Sequence, residues 1–316
     1  MSARAPGAPV AASAGAQPRL RGFAQVDVFA SAAGAGNPLA VVLDAQGLQT
    51  AQMQAFADWT NLSETTYLLP PGDTEADYRV RIFSPGRELP FAGHPTLGSC
   101  FAWLDAGGKP RNPAEIVQQC EAGLVRIRRD GSRLSFAAPP RVRSGPLDET
   151  QLALIARGLG VERSRILHHA WCDNGPQWRS VMLASAHEVL ALTPQAQFLA
   201  GLDLGVVGPC GKVGVIGAHA GSSRGGQAGQ RACTADFEVR AFFTAGGSLR
   251  EDPVTGSLNA AIGQWLTETG LAPDRYVVSQ GTALGRAGRV VIEREPDGTV
   301  WVGGEVTERI RGTVRL

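Results

Sequence analysis

Hydrophobic and polar positions alternate along Tyr78, Arg79, Val80, Arg81 and Ile82, the period of two that a half-buried strand requires. Pro85-Gly86 ends that strand, and Leu89 to Pro95 (LPFAGHP) leads to a helix entrance with Pro95 suited to the first helical position. From Thr96 to Leu104 the residues are small or apolar almost all round, which predicts a helix enclosed by other elements. A related pattern returns half a chain later. DFEVRAF at Asp236 to Phe242 parallels DYRVRIF at Asp77 to Phe83, and a polar loop, a Gly turn (Pro253 to Ser257) and an apolar helix ending in Trp265-Leu266 follow. The first copy ends in Trp103-Leu104, so loop, turn and terminal pair recur in order and predict an internally duplicated fold.

Further strands are predicted over Phe23–Phe29, Leu39–Leu43, Ser63–Leu69, Trp178–Leu183, Gly211–Ala218, Tyr276–Ser279, Arg289–Glu293 and Val300–Val306, with a hairpin joining Ile116–Ile127 to Arg133–Phe136 around Asp130-Gly131. Helices are predicted over Thr50–Thr60, over Glu149–Leu159 behind Asp148, and over Thr193–Leu199. Many short strands around one apolar helix per half predict an α+β protein of two similar barrel-like domains. Residues 1–20 read as a disordered tail, 21–140 as the N-terminal barrel and 141–316 as the C-terminal barrel, with the last strand able to return to the first domain. Ser222 to Gly229 reads as a mobile Gly/Ser loop.

Composition narrows the function. The 316 residues are 43% hydrophobic and 19% charged, with a net charge of +1, which gives no electrostatic case for nucleic acid or an acidic membrane surface. Neither a signal-peptide core nor a membrane-spanning run is present, and no P-loop or GxGxxG follows a strand. The five cysteines lack zinc spacing or a disulfide framework and read as reduced thiols of a cytoplasmic protein.

Three residues stand where chemistry could occur. Glu64 lies among Leu62, Tyr67 and Leu68; burial there would raise its pKa and suit it to proton shuttling, although strand alternation alone points it to solvent. His94 lies at a helix entrance, where free N–H groups and the helix dipole favour an anion, although it could simply pack in the turn. Asp252 occupies the matching entrance of the second half, where an Asp before Pro commonly serves only as a cap. Taken together, two Gly-bearing helix entrances facing each other would form a carboxylate-binding cleft lined by the three side chains.

GNPLAVVL (Gly36 to Leu43), NLSETTYL (Asn61 to Leu68), ELPFAGHPTLG (Glu88 to Gly98) and EDPVTGSLN (Glu251 to Asn259) together resemble the motifs of the PhzF, or phenazine-biosynthesis-like, family, in the family's order. The resemblance implies two domains of diaminopimelate-epimerase-like fold with the active site between them, a homodimer, and no cofactor or metal. By position it implies Glu64 as acid/base, His94 and Asp252 as its assistants, and Ser63, Gly93, Gly256 and Ser257 as holders of a substrate carboxylate. The family's archetype isomerises trans-2,3-dihydro-3-hydroxyanthranilate. An epimerase or lyase of an amino- or hydroxy-acid, and a non-catalytic binding protein, remain alternatives. Both helix entrances lack the cysteine that diaminopimelate epimerase places there, so two-thiol racemisation is not expected. The family's late QGxxxGRPS segment reads Gln280 to Gly288 here, without its Pro-Ser end.

Overall fold

The computed structural model describes residues 18–30, 32–211 and 234–316. The first half comprises β1 (Leu20–Val28), β2 (Asn37–Val42), α1 (Thr50–Thr60), β3 (Glu64–Leu69), β4 (Tyr78–Ser84), β5 (Arg87–Leu89), α2 (Gly93–Asp105), β6 (Glu115–Cys120), β7 (Gly123–Asp130) and β8 (Arg133–Ala137). The second comprises α3 (Glu149–Leu159), β9 (His168–Trp171), β10 (Arg179–Met182), α4 (Ala186–Ala191), α5 (Ala196–Leu199), β11 (Leu204–Pro209), β12 (Phe237–Ala245), β13 (Ser248–Asp252), α6 (Gly256–Glu268), β14 (Arg275–Gln280), β15 (Gly288–Arg294) and β16 (Val300–Arg315).

Strands β1, β2, β3, β4, β6, β7 and β8 pair in that order, and β16 joins β8 to β1, closing an eight-stranded barrel. Its interior holds α2, of which every residue from Gly93 to Cys100 is buried, as the all-round apolar pattern requires. The other sheet runs β9, β10, β11, β12, β14, β15, β16 and packs on α6, whose residues Leu258 to Gly263 are buried. Pairing types recur along both halves. From β1 to β8 they run antiparallel, parallel, antiparallel, parallel, antiparallel, antiparallel, and from β9 to β16 the series is the same. Each hairpin before a central helix also carries a bidentate pair. Arg81 donates from Nε and Nη2 to Glu88, and Arg240 does the same to Glu251.

Several boundaries differ from the sequence expectation. Helix α2 starts at Gly93, so Pro95 occupies the third position; first-turn N–H groups have no intrahelical acceptor, and proline loses nothing there. The expected single arm Ile116–Ile127 is broken at Glu121-Ala122 into β6 and β7. The helix expected over Thr193–Leu199 is confined to α5, and β16 continues nine residues past Val306. Strands β9 and β11 were not anticipated. Asp148 caps α3 as expected, accepting from Gln151 N at 2.8 Å. Of the tail expected over residues 1–20, residues 1–17 lie outside the described residues and Leu20 already opens β1; most of the strand expected over Gly211–Ala218 and the loop Ser222–Gly229 also lie outside them. Cys100, Cys120 and Cys172 are free, but Cys210 is disulfide-bonded, so the expectation of five reduced thiols fails there. Among the described residues, no helix is long and apolar enough to cross a membrane.

Candidate active site

The two central helices meet end to end. Gly93 is the first residue of α2 and Gly256 the first of α6, and a β-carbon on Gly93 would stand 2.7 Å from Gly256 Cα. The earliest intrahelical bonds are Thr96 N to Ala92 O and Asn259 N to Thr255 O. The amides of Gly93, His94, Gly256 and Ser257 therefore lie ahead of both ladders, at two positive dipole ends that converge from opposite halves.

Glu64 and His94 face each other at this junction. Glu64 opens β3, with its side chain only 16% exposed, and its Oε2 lies 3.1 Å from His94 Nε2. Despite that short distance the ring N–H is not aligned on the carboxylate, and neither atom has a hydrogen-bond partner within the protein. Two buried polar atoms with unused bonding capacity, side by side, are what a site awaiting a polar reactant presents. Burial pushes Glu64 up to about 8, with Asp252's charge adding and Arg87's opposing. Burial also lowers His94 to about 3, so its imidazole is neutral at physiological pH.

Asp252 ends β13 and turns inward to the same point. Its Oδ2 accepts from Thr255 Oγ1 at 2.6 Å and its Oδ1 from Asn37 Nδ2 at 2.9 Å. Burial raises it to about 6 against the opposing effect of those two bonds. The capping role that an Asp before Pro suggests is not met: α6 begins behind Thr255 without a side-chain cap, and Asp252 accepts instead from the Thr255 hydroxyl and Asn37. The carboxylate also lies close enough to Glu64 to raise its pKa.

The remaining candidates are distributed around the helix ends. Ser257, second in α6, accepts from Trp178 Nε1 at 3.1 Å through Oγ and from Asn174 Nδ2 at 2.9 Å through its carbonyl. Ser63 lies on the exposed bend immediately before Glu64.

Three residues of the site were missed in the sequence reading. Gln280 is fully buried and ties the second entrance together: Oε1 accepts from Thr255 N and Asn259 Nδ2, and Nε2 donates to Asp252 O and Thr255 Oγ1. Thr255 is the hub of that network, and Asn37, also fully buried, reaches from β2 into both entrances. The signal for Gln280 and Asn37 was their place in motifs next to apolar strands, since a polar side chain that is buried there must find partners. Arg286, from the altered late segment, donates to Gly34 O at 2.8 Å and so pins the turn before Asn37. No cluster of three or more His, Cys, Asp or Glu side chains among the described residues has the form of a metal site.

The barrel-like sheets wrapped on two central helices make this an α+β protein whose fold matches PhzF-family and epimerase-fold structures. The chain belongs to the phenazine biosynthesis-like protein family, whose pattern matches residues 26–312. It is 34% identical over 304 residues to antisense-enhancing sequence 1 of Schizosaccharomyces pombe, covering 92% of this chain and 97% of that one. It is 29% identical over 282 residues to the trans-2,3-dihydro-3-hydroxyanthranilate isomerase of Pseudomonas aeruginosa, covering 87% and 91%. A crystal structure of a phenazine biosynthesis protein of the PhzF family from Enterococcus faecalis superposes with a TM-score of 0.72 at 24% identity, covering 94% of this chain and all of that one.

Proposed function

We propose that this isomerase of the phenazine-biosynthesis-like family moves a proton between two carbons of a small carboxylate-bearing substrate, with Glu64 as the acid/base. The observation that carries the reading is the Glu64–His94 pair, 3.1 Å apart and buried at the junction of two helix N-termini. The substrate carboxylate docks on the free amides of Gly93, Gly256 and Ser257, with Ser63 at the rim. Glu64, ionised, takes a proton from a carbon activated by an adjacent unsaturated bond; the electron pair shifts through the π-system, and the carboxyl, whose proton exchanges with solvent in between, returns a proton to a second carbon. The double bond moves and the atoms balance, with no hydride or thiol in the step. His94 Nε2 lies beside the carboxylate, 3.1 Å from Oε2, while it is charged, and Asp252 holds Glu64's proton affinity high enough for return of a proton. The family relationship to a trans-2,3-dihydro-3-hydroxyanthranilate isomerase supports a ring carboxylate as the first substrate to try.

The test is proton NMR in deuterated buffer, with the protein and its Glu64→Gln variant each given dihydro-hydroxyanthranilate and a panel of small amino and hydroxy acids. Glu64-dependent deuterium uptake at one carbon is expected. Equal conversion by the Glu64→Gln variant would overturn the assignment.

A further inference from the structure

We infer that Asn37 is a positioning residue that selects the tautomer of His94: it keeps Nδ1 unprotonated and so places the single ring proton on Nε2, the nitrogen that lies 3.1 Å from Glu64. The inference rests on the proposed isomerase reading only for its effect on turnover, because the tautomer is a property of the resting protein.

The argument begins from the valence of one nitrogen. Asn37 Nδ2 has three neighbours: Asp252 Oδ1 at 2.9 Å, Val254 O at 3.0 Å and His94 Nδ1 at 3.4 Å. A peptide carbonyl carries no hydrogen, so the side-chain nitrogen, and not Oδ1, must face Val254. The nitrogen of an amide has no usable lone pair, so it cannot accept a proton from His94. Nδ1 therefore acts as the acceptor or makes no bond. The two amide hydrogens go to the nearer Asp252 and Val254 oxygens, or one is shared with Nδ1; in either case a neutral ring that kept its proton on Nδ1 would turn that N–H towards a nitrogen that cannot accept it, 3.4 Å away. Which ring nitrogen of a histidine is protonated is set by the hydrogen bond made at the other.

The surrounding structure is built to hold Asn37 there. Its side chain is fully buried at the first position of β2. The turn that delivers it is bound by Asp27, whose carboxylate accepts from Gly34 N at 2.7 Å and Gly36 N at 3.1 Å. Gly36 admits no side chain, since a β-carbon would lie 2.1 Å from Val28 O. From the second half, Ala287 N donates to Ala35 O at 2.9 Å and Arg286 Nη1 to Gly34 O at 2.8 Å. Asp252, the partner of Asn37, is fixed on its other oxygen by Thr255, which Gln280 holds in turn. Asn37 is thus the contact through which the second half of the chain orients the imidazole of the first.

The experiment records long-range proton–nitrogen correlations on protein labelled with 15N-histidine at neutral pH, with His94 assigned by comparison with His94→Gln. In the native protein, His94 should show an unprotonated Nδ1 and a protonated Nε2. Asn37→Asp, which keeps the size but presents an oxygen to Nδ1, should draw the proton to Nδ1 and lower kcat by about 10- to 100-fold, with KM nearly unchanged. Asn37→Ser serves if the charged variant does not fold, and is expected to give a mixture of tautomers. A native His94 protonated on Nδ1 would overturn the inference even if the enzyme is an isomerase. Retention of both the native tautomer and native kcat in a folded Asn37 variant would do the same. The expected tautomer together with no Glu64-dependent proton exchange would instead count against the isomerase reading and leave the placement of the proton standing.

Discussion

Gly93 and Gly256 approach so closely that a β-carbon on either would lie 2.7 Å from the other's Cα. Each is the first residue of a buried thirteen-residue helix, so the contact brings two helix dipoles to one point from opposite halves of the chain. Like ends do not attract, and an uncompensated meeting of two positive termini would favour separation. Acidic groups answer that field here: Glu64 and Asp252 are the carboxylates at the junction, and a substrate carboxylate would add a third. The same positive ends that suit an anion also need a buried acid close by, which is why a proton carrier and an anion site share one place.

The glycines can be tested directly. Gly256→Ala adds a methyl group where backbone lies within 2.7 Å, so the two helices must part rather than a side chain yield. Overpacking of this kind costs about 1–3 kcal/mol. Urea denaturation should show that loss, and turnover should fall further than stability alone accounts for, because the paired amides no longer share one ligand. An alanine variant of unchanged stability and activity would show that the helix ends have room to move.

Stability should depend on pH through Glu64. Its pKa is about 8 in the folded protein against 4.5 in an unperturbed chain, so the folded state holds a proton that the unfolded state releases. Stability therefore falls as pH rises from about 4.5 through 8 and levels off above, with a total on the order of a few kcal/mol. Glutamine copies the protonated acid and does not titrate. The gain in Tm of Glu64→Gln over the native protein should be small at pH 5 and clear at pH 9. Asp252, raised to about 6, gives the variant a residual slope of the same sign at lower pH. A constant Tm difference across that range would mean that Glu64 is not the buried acid described.

Turnover should respond to pH in the opposite sense. The step requires ionised Glu64, so kcat/KM should rise with pH towards about 8 and flatten there. His94, lowered to about 3, adds no limb in the physiological range. Because Glu64 and Asp252 interact, the profile reports the pair. Asp252→Asn removes one negative charge and should move the midpoint to lower pH. A midpoint that stays in place in that variant would assign it to another group.

Much of this arrangement was readable in the chain. The strand pleat and the enclosure of α2 were legible because alternation at Tyr78, Val80 and Ile82 and the apolar run after Pro95 are local patterns with a direct geometric meaning. Glu64 was legible only in part. Alternation alone allows a residue at the start of a strand to face outward, and its burial depends on His94, which arrives from another element. Asn37 was marked only as a polar residue beside an apolar strand; its role was not, because its partner Asp252 lies 215 positions away and no local period encodes that. Strand β11 was missed for a different reason: with Gly205, Gly208 and Pro209 among its six residues it carries no clear strand pattern, yet Gly205 lies where a β-carbon would meet Leu258 of α6 at 2.6 Å. The glycine there marks close packing and not a turn.

Trp178 offers a direct view of the anion site. Its indole Nε1 donates to Ser257 Oγ at 3.1 Å, and its ring is 5% exposed, so its emission reports the second position of α6. A carboxylate bound at the Gly256 and Ser257 amides would place negative charge beside that hydroxyl and change the polarity around the indole. Titration with small carboxylates should therefore give a saturable change in fluorescence. The chain holds six tryptophans, so the assignment needs Trp178→Phe, which keeps most of the packing and removes the N–H donor. That variant should lose the signal and bind the same carboxylates only a few-fold more weakly, the loss of one hydrogen bond worth about 0.5–1.5 kcal/mol. An undiminished signal in Trp178→Phe would place the bound carboxylate away from Ser257, and with it the docking point assigned to the twin helix ends.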